Sequence, residues 1–375
     1  MKILFITDEY LPVPSSNGAC VGRLFNGITE PDEAFVLSVT QKEGLESTTH
    51  IKYKQYMRKP ASFINRLFGF CQDDGYVNAI YTTAKEIILQ HNIERVVCLC
   101  RPIEPLIAGI KLKKEFTEIQ VLGYFLDNPA ERMVDNPIKA AIFSWNSKRL
   151  LKKFHTISKK MVVLKYYKST FSELFKNSDK VKYVGLPSIV SEHHTEIKTK
   201  NGINIFYGGS LNCKYRNPEN VLKIIEEICS KNKNITVDFY SCGCEEILSK
   251  AKEKIGSNLK IHGMIPMSNL IQKMSEADVL LNVANDLPYA VPGKLFEYFS
   301  TGKPILNYIF RKDDPANNEY EKYPNIFNLY SYKSNDIMAC SEFLLNSKDT
   351  VIPFSKIADL YFDSTPEYTL SQLLE

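Results

Sequence analysis

The stretch VPGKLFEYFSTGKPI (291–305) stands between two short aliphatic runs, DVLLNVA before it and PILNYI after it. Pro292 suits the first position of a helix, and Gly302 followed by Pro304 supplies a stop, so a helix of about ten residues is expected between them. Leu295, Phe296 and Phe299 supply its packing face. A strand, a short helix and a second strand make a parallel crossover, the repeating unit of an open α/β sheet.

Working outward, the same alternation runs along the chain in both directions. Strands are expected at KILFIT (2–7), AFVLSV (34–39), RVVCLC (95–100), IQVLGYF (119–125), MVVL (161–164) and KVKYVG (180–185). Between them YVNAIYTTAKEIILQHN and IEPLIAGIKLKKEF carry apolar residues three and four apart, the helical period. LPSIVSEHHTEIKTKNG (186–202) has no persistent period and reads as a linker. A second series follows: INIFYGGS, PENVLKIIEEICSKN, ITVDFYS, EEILSKAKEKIG, LKIHGMI, MSNLIQKMSEA, DVLLNVA and the opening stretch. The expected fold is therefore α/β, with two doubly wound parallel-sheet domains, 1–187 and 188–354.

Composition agrees with a soluble globular chain: 375 residues, 44% hydrophobic and 24% charged. A core of that size needs no disulfide framework. The nine cysteines never form C-x-x-C and lie mostly in apolar runs, so reduced core thiols of a cytoplasmic protein are expected. Metal-ligand spacing is absent among the six histidines; His193 and His194 are adjacent, and neighbours cannot both face one ion from a regular element. No apolar run reaches the roughly 18 residues of a membrane span, and MKILFITDEY meets Asp8 too early for a secretory signal.

Net charge is only +4, but it is unevenly spread. From 148 to 176 there are nine Lys or Arg against one acid, Glu173, which makes that segment +8 and the remainder −4. Such a block reads either as solvated lysines on helix faces or as a docking patch for acidic phospholipids, where each basic side chain contributes roughly 1 kcal/mol. No nucleic-acid motif accompanies it.

Lys294 and Glu297 give the opening stretch its chemistry. Three apart, they share a helix face. Gly293 leaves the first turn open, so an anion can reach backbone donors there. A carboxylate accepts from two vicinal hydroxyls, and a lysine suits a diphosphate. The pair fits a nucleoside diphosphate with its phosphates over the helix start and its ribose one turn along; a surface ion pair is the plainer reading.

The stretch resembles the P-[SG]-K-x-x-E-Y-x-x-x-G-K-P signature in one branch of the retaining glycosyltransferases of GT-B fold, sequence family 4. KILFITDEYLPVPSSNGACVGRL, LGYFLDNPAER, LLKKFHTISKK, INIFYGGSLNCKYRNPENVLKII and LKIHGMIPMSNLIQKMSEADVLLNVAND resemble the same family in the same order, and the likeness covers most of 1–345. It implies two Rossmann-like domains facing a central cleft, with a C-terminal helix at about 355–375 returning to the first. It makes Glu297 the ribose ligand, Lys294 a diphosphate ligand and Arg216 the second cation, with Lys214 its competitor. Gly208 and Gly209 allow close approach. Gly263, Met264 and Ile265 would hold the base, and Gly18 would face phosphates and sugar. Many members carry an acid eight residues before the glutamate; here Tyr289 stands there, which leaves the sugar to Asn285, Asp286, Ala290 or Val291, beside Pro292 and Gly293.

The resemblance further implies a front-face reaction in which Arg216 and Lys294 stabilise the leaving diphosphate without a metal; D-x-D does not occur. Asp127 would orient the acceptor or bond a sugar hydroxyl, or else cap the turn after its strand. Arg101 and Glu104 would meet the acceptor, although a helix start also accounts for Glu104. The implied activity is hexose transfer from UDP- or GDP-sugar to a glycan or lipid-linked acceptor in bacterial surface polysaccharide synthesis, at the cytoplasmic face of the membrane, with no cofactor. A nucleotide-sugar 2-epimerase of the same fold and a non-catalytic nucleotide-sugar-binding partner are the alternatives.

Overall fold

A computed structural model gives the structure of the chain and describes residues 1–10, 15–30, 32–39, 48–50, 70, 72–130, 136–176, 178–194, 202–288, 291–331 and 333–375. The chain forms two compact units, 1–187 with 363–375 and 188–362.

In the first unit the elements run β1 (Lys2–Ile6), α1 (Ser16–Asn26), β2 (Glu33–Ser38), β3 (Thr48–His50), α2 (Asp74–His91), β4 (Arg95–Cys100), α3 (Glu104–Glu115), β5 (Gln120–Phe125), α4 (Pro137–Ile157), β6 (Lys160–Leu164), α5 (Lys168–Phe175) and β7 (Val181–Val184). The sheet order is β3-β2-β1-β4-β5-β6-β7, all parallel. Central strands of a parallel sheet are covered on both faces, which is why ILFI of β1 and VVCLC of β4 are unbroken apolar runs with every residue buried. Asp73 starts α2 by accepting from the Gly75 and Tyr76 N–H groups, and Asn92 ends it in the left-handed conformation. Among the described strands only β3 lacks a hydrophobic signature: Thr-Thr-His is a short strand at the end of the sheet order, paired with β2.

The second unit runs β8 (Ile203–Ser210), α6 (Glu219–Lys231), β9 (Ile235–Cys242), α7 (Glu245–Ile255), β10 (Leu259–Ile261), α8 (Met267–Glu276), β11 (Val279–Val283), α9 (Gly293–Thr301), β12 (Ile305–Ile309), α10 (Asn317–Lys322), β13 (Ile326–Tyr330), α11 (Ile337–Ser347) and α12 (Phe354–Leu360). Its six parallel strands take the order β10-β9-β8-β11-β12-β13. Helix α13 (Pro366–Leu374) closes the chain and belongs to the first unit, where Leu370 and Leu373 join the core.

Both sheets reverse their winding once, between β1 and β4 and between β8 and β11. At such a switch point the loops leaving two adjacent strands diverge to opposite faces and open a crevice at the carboxyl edge. Two sheets of this kind therefore offer two natural ligand positions, one per unit.

Candidate functional site

Helix α9 has nine residues, too few to persist on propensity alone. Packing holds it. Leu295, Phe296 and Phe299 are fully buried, each contributing roughly 2–3 kcal/mol, and the Phe299 ring is stacked between Tyr323 and Tyr361 at 4.6 and 4.7 Å. Ser300 accepts from the Val190 N–H at 3.1 Å and donates to the Ser188 carbonyl at 3.0 Å. Pro292 is the residue before the first turn and Gly293 opens it, one position later than the sequence suggests. At the other end Gly302 adopts φ +76°, where an added Cβ would meet the Ile352 carbonyl at 2.4 Å.

Its outward side carries the pair read from the sequence. Lys294 Nζ and Glu297 Oε2 are 3.4 Å apart, with side chains only 28% and 15% exposed. Tyr298, next along the chain, points inward: its hydroxyl accepts from the Gly208 N–H at 3.0 Å. The second turn of α9 is thereby fixed against the end of β8. Gly209 sits at φ +147°, and a Cβ built there would lie 3.9 Å from Lys294 Cε, so the lysine stem runs beside Gly209.

Arg216 reaches the same edge from the loop after β8. Residues 212 and 216 exchange backbone hydrogen bonds at 2.7 and 3.3 Å and close a tight turn. From it Arg216 Nε donates to Asn285 Oδ1 at 2.9 Å and Nη1 to the Ser210 carbonyl at 3.2 Å. Asn285 follows β11, so this bond spans the β8/β11 switch point. Lys214 occupies the exposed tip of the turn. Burial pushes the Tyr207 phenol up to about 12, against the nearby Arg216 charge.

The turn is also tied covalently. Cys213 and Cys244 form a disulfide with their Cα atoms 5.7 Å apart, which corrects the expectation that all nine cysteines are reduced. The reason is tertiary: the ends of β8 and β9 are neighbours, Leu211 N–H bonds the Cys242 carbonyl at 2.8 Å, and residues 31 apart in sequence meet. Cys20, Cys98, Cys100, Cys229 and Cys340 are buried, Cys242 is exposed, and Cys71 lies outside the described residues.

Gly263, Met264 and Ile265 follow β10, two strands along the same carboxyl edge; Gly263 has φ +69° and Met264 is 58% exposed. Just before them the His262 ring stacks on Tyr240 at 4.3 Å and bonds Asp238. Val291 is half-buried beside Pro292. Ala290 and Tyr289 lie outside the described residues. Sequence reasoning passed over two groups here. Tyr298 had only its place in the signature to mark it, and Arg311, after β12, reaches Asp286 at 3.7 Å and Asp313 at 2.8 Å.

In the first unit Arg101, Asp127 and Glu104 follow β4 and β5 beside the β1/β4 switch point. Arg101 Nη2 donates to the Asn128 carbonyl at 2.9 Å, and the Arg101 carbonyl accepts from Asn17 Nδ2 at 3.3 Å. Burial raises the Asp127 carboxyl above its ordinary range, opposed by the Arg101 charge. Glu104 is buried and accepts from the Asp73 N–H at 3.1 Å, supporting the start of α2. Gly18 is buried in the first turn of α1; its N–H donates to the Ser15 hydroxyl at 2.9 Å, and a Cβ there would press on Tyr10 at 3.2 Å.

The sequence matches no protein-family model and no curated protein. Solved structures do match over nearly the whole chain. A glycosyltransferase from Rickettsia africae ESF-5 superposes with TM-score 0.61 at 15% identity, covering 99% of this chain and 96% of its own. The UDP-GlcNAc 2-epimerase from Methanocaldococcus jannaschii gives 0.60 at 11%, with 100% and 99% covered. The S. aureus MnaA–UDP complex gives 0.53 at 12%, with 99% and 91%. At such identities the likeness establishes the fold: two Rossmann-like parallel-sheet domains of the GT-B type.

Proposed function

We propose that the chain is a glycosyltransferase that takes a hexose-type sugar from a UDP- or GDP-sugar and transfers it, with retention and without a metal, to a glycan or lipid-linked acceptor in bacterial surface polysaccharide synthesis. One observation carries the reading. Arg216, Lys294 and Glu297 converge with Gly208 and Gly209 at the switch point of the second sheet. Two cations beside two glycines suit a diphosphate, and a carboxylate one helical turn on suits the two hydroxyls of a ribose. In this reading Arg216 and Lys294 stabilise the negative charge that collects on the diphosphate oxygen as the sugar–oxygen bond breaks, and the acceptor proton passes to that oxygen. Asn285, oriented by Arg216, meets a hydroxyl of the sugar. Gly263, Met264 and Ile265 take the base. Arg101 and Asp127 bind the acceptor, the raised carboxyl of Asp127 accepting from one of its hydroxyls. A UDP complex and two 2-epimerases among structures of this fold support a nucleotide-sugar ligand and keep epimerisation as the second reading.

Incubation with UDP- and GDP-sugars, followed by product chromatography, separates the readings. Slow release of free sugar and nucleoside diphosphate marks a transferase, and an interconverted nucleotide sugar marks an epimerase. Binding without turnover marks an inert partner and overturns the enzymatic assignment.

A further inference from the structure

The turn that carries Arg216 is held from two sides. Toward β11 the ties are hydrogen bonds: the Asp286 N–H donates to the Tyr215 carbonyl at 2.7 Å, and Arg216 Nε bonds Asn285. Within the turn, Asn212 Oδ1 accepts from the Lys214 and Tyr215 N–H groups at 2.9 and 3.3 Å, and Asn217 Nδ2 donates to the Cys213 carbonyl at 3.3 Å. Toward α7 the tie is covalent, the bond from Cys213 to Cys244. Its far end is well anchored. Gly243, at φ +86°, passes so close to the Leu211 carbonyl that an added Cβ would lie 2.4 Å from it, which keeps the start of α7 against the end of β8.

The two sulfurs of this bond are placed unequally. Cys213 is exposed on the turn, whereas Cys244 is 7% exposed. Cys244 also stands immediately before the first turn of α7, where unpaired backbone N–H groups favour a thiolate over a thiol. The two acids of that turn are engaged, Glu245 with the Gly243 N–H and Glu246 with Lys250, each at 2.6 Å. An attacking thiolate can therefore reach Cys213, and Cys244 is the sulfur suited to leave.

We infer that the Cys213–Cys244 bond is a thiol-exchange site, opened by a dithiol reductant and coupled to the grip of Arg216 on a nucleoside diphosphate; the coupling rests on the reading of Arg216 as a diphosphate cation. A thiolate of the dithiol forms a bond to Cys213 Sγ as the Cys213–Cys244 bond breaks, and the electron pair leaves on Cys244 Sγ. The second thiol of the reagent then displaces Cys213 and closes the reagent's own disulfide. The two cysteines gain the two electrons that the dithiol loses, and the protons its thiols give up pass to them or to water. The turn then keeps its hydrogen bonds toward β11 and loses its covalent tie to α7, so Arg216 is held less firmly beside the glycine pair.

The full-length protein is purified in air and its Cys213–Cys244 link mapped on non-reduced peptides. Titration calorimetry then measures UDP and GDP binding before and after treatment with dithiothreitol, which is removed under argon. Dithiothreitol is expected to open the bond without denaturant, so that iodoacetamide labels Cys213. Nucleotide affinity should fall about fivefold or more and return on reoxidation. Cys213→Ser is expected to bind as the reduced parent does and to ignore dithiothreitol, whereas Cys242→Ser keeps the response. Equal affinity in the two redox forms of the parent overturns the inference and leaves the donor site standing. A response that survives in Cys213→Ser, or a peptide map without the link, also overturns it. Binding of neither nucleotide by either form rejects the donor site and this inference together.

Discussion

The Tyr298 hydroxyl accepts the Gly208 N–H at 3.0 Å, joining the second turn of α9 to the last residues of β8. Lys294 and Glu297 precede Tyr298 on the same helix, so this bond helps to hold both charges beside the end of β8.

Tyr298→Phe deletes that acceptor and leaves a buried N–H unpaired. Such a group costs about 1–3 kcal/mol, and the ring volume is otherwise kept. Urea denaturation of the variant is expected to show that loss, accompanied by weaker nucleotide binding from a displaced α9. Unaltered stability would mean that the Gly208 donor finds another partner.

Lys294→Ala and Glu297→Ala test the donor site directly. Each is expected to weaken UDP or GDP binding by more than about 1.4 kcal/mol, a tenfold change. An i,i+3 pair on one helix contributes only about 0.2–0.5 kcal/mol to folding, so the thermal midpoint should move little. Titration calorimetry reads the affinity; equal affinity in both variants and parent removes the diphosphate from α9.

Asp314 makes a pH prediction. Burial pushes its carboxyl up from 3.8 to about 6, with the Ala316 N–H and the Tyr320 hydroxyl bonding it at 2.9 and 3.3 Å. The folded chain then binds a proton that the unfolded chain has released between those two values. By linkage the Asp314 contribution to stability declines as pH rises through that window, by on the order of 2–3 kcal/mol. Asp314→Asn keeps the acceptor oxygen and removes the titration. Denaturation at about pH 4 and about pH 7.5 should show the variant gaining on the parent at the higher pH; a difference independent of pH refutes the raised carboxyl.

The strands and most helices were legible because parallel strands buried on both faces are written as aliphatic runs, and amphipathic helices as a period of 3.6. β3 was not, since Thr-Thr-His, at the end of the sheet order, needs no apolar signature. Lys294 and Glu297 could be paired from spacing alone. The Cys213–Cys244 bond and the reach of Arg311 to Asp286 could not, because each joins loops that leave different strands.

By itself the sequence determined what local chemistry can encode: two βα series, the ends of α9 through Pro292 and Gly302, and a cation and an acid on one helical face. The order β10-β9-β8-β11-β12-β13 was settled only in three dimensions, since strand neighbours depend on which way each crossover turns. That order puts the loops after β8 and β11 side by side, letting Arg216 meet Asn285 from 69 residues away. It was also packing that decided which face of α4 lies inward, and so left Ile138, Ile142 and Trp145 outside.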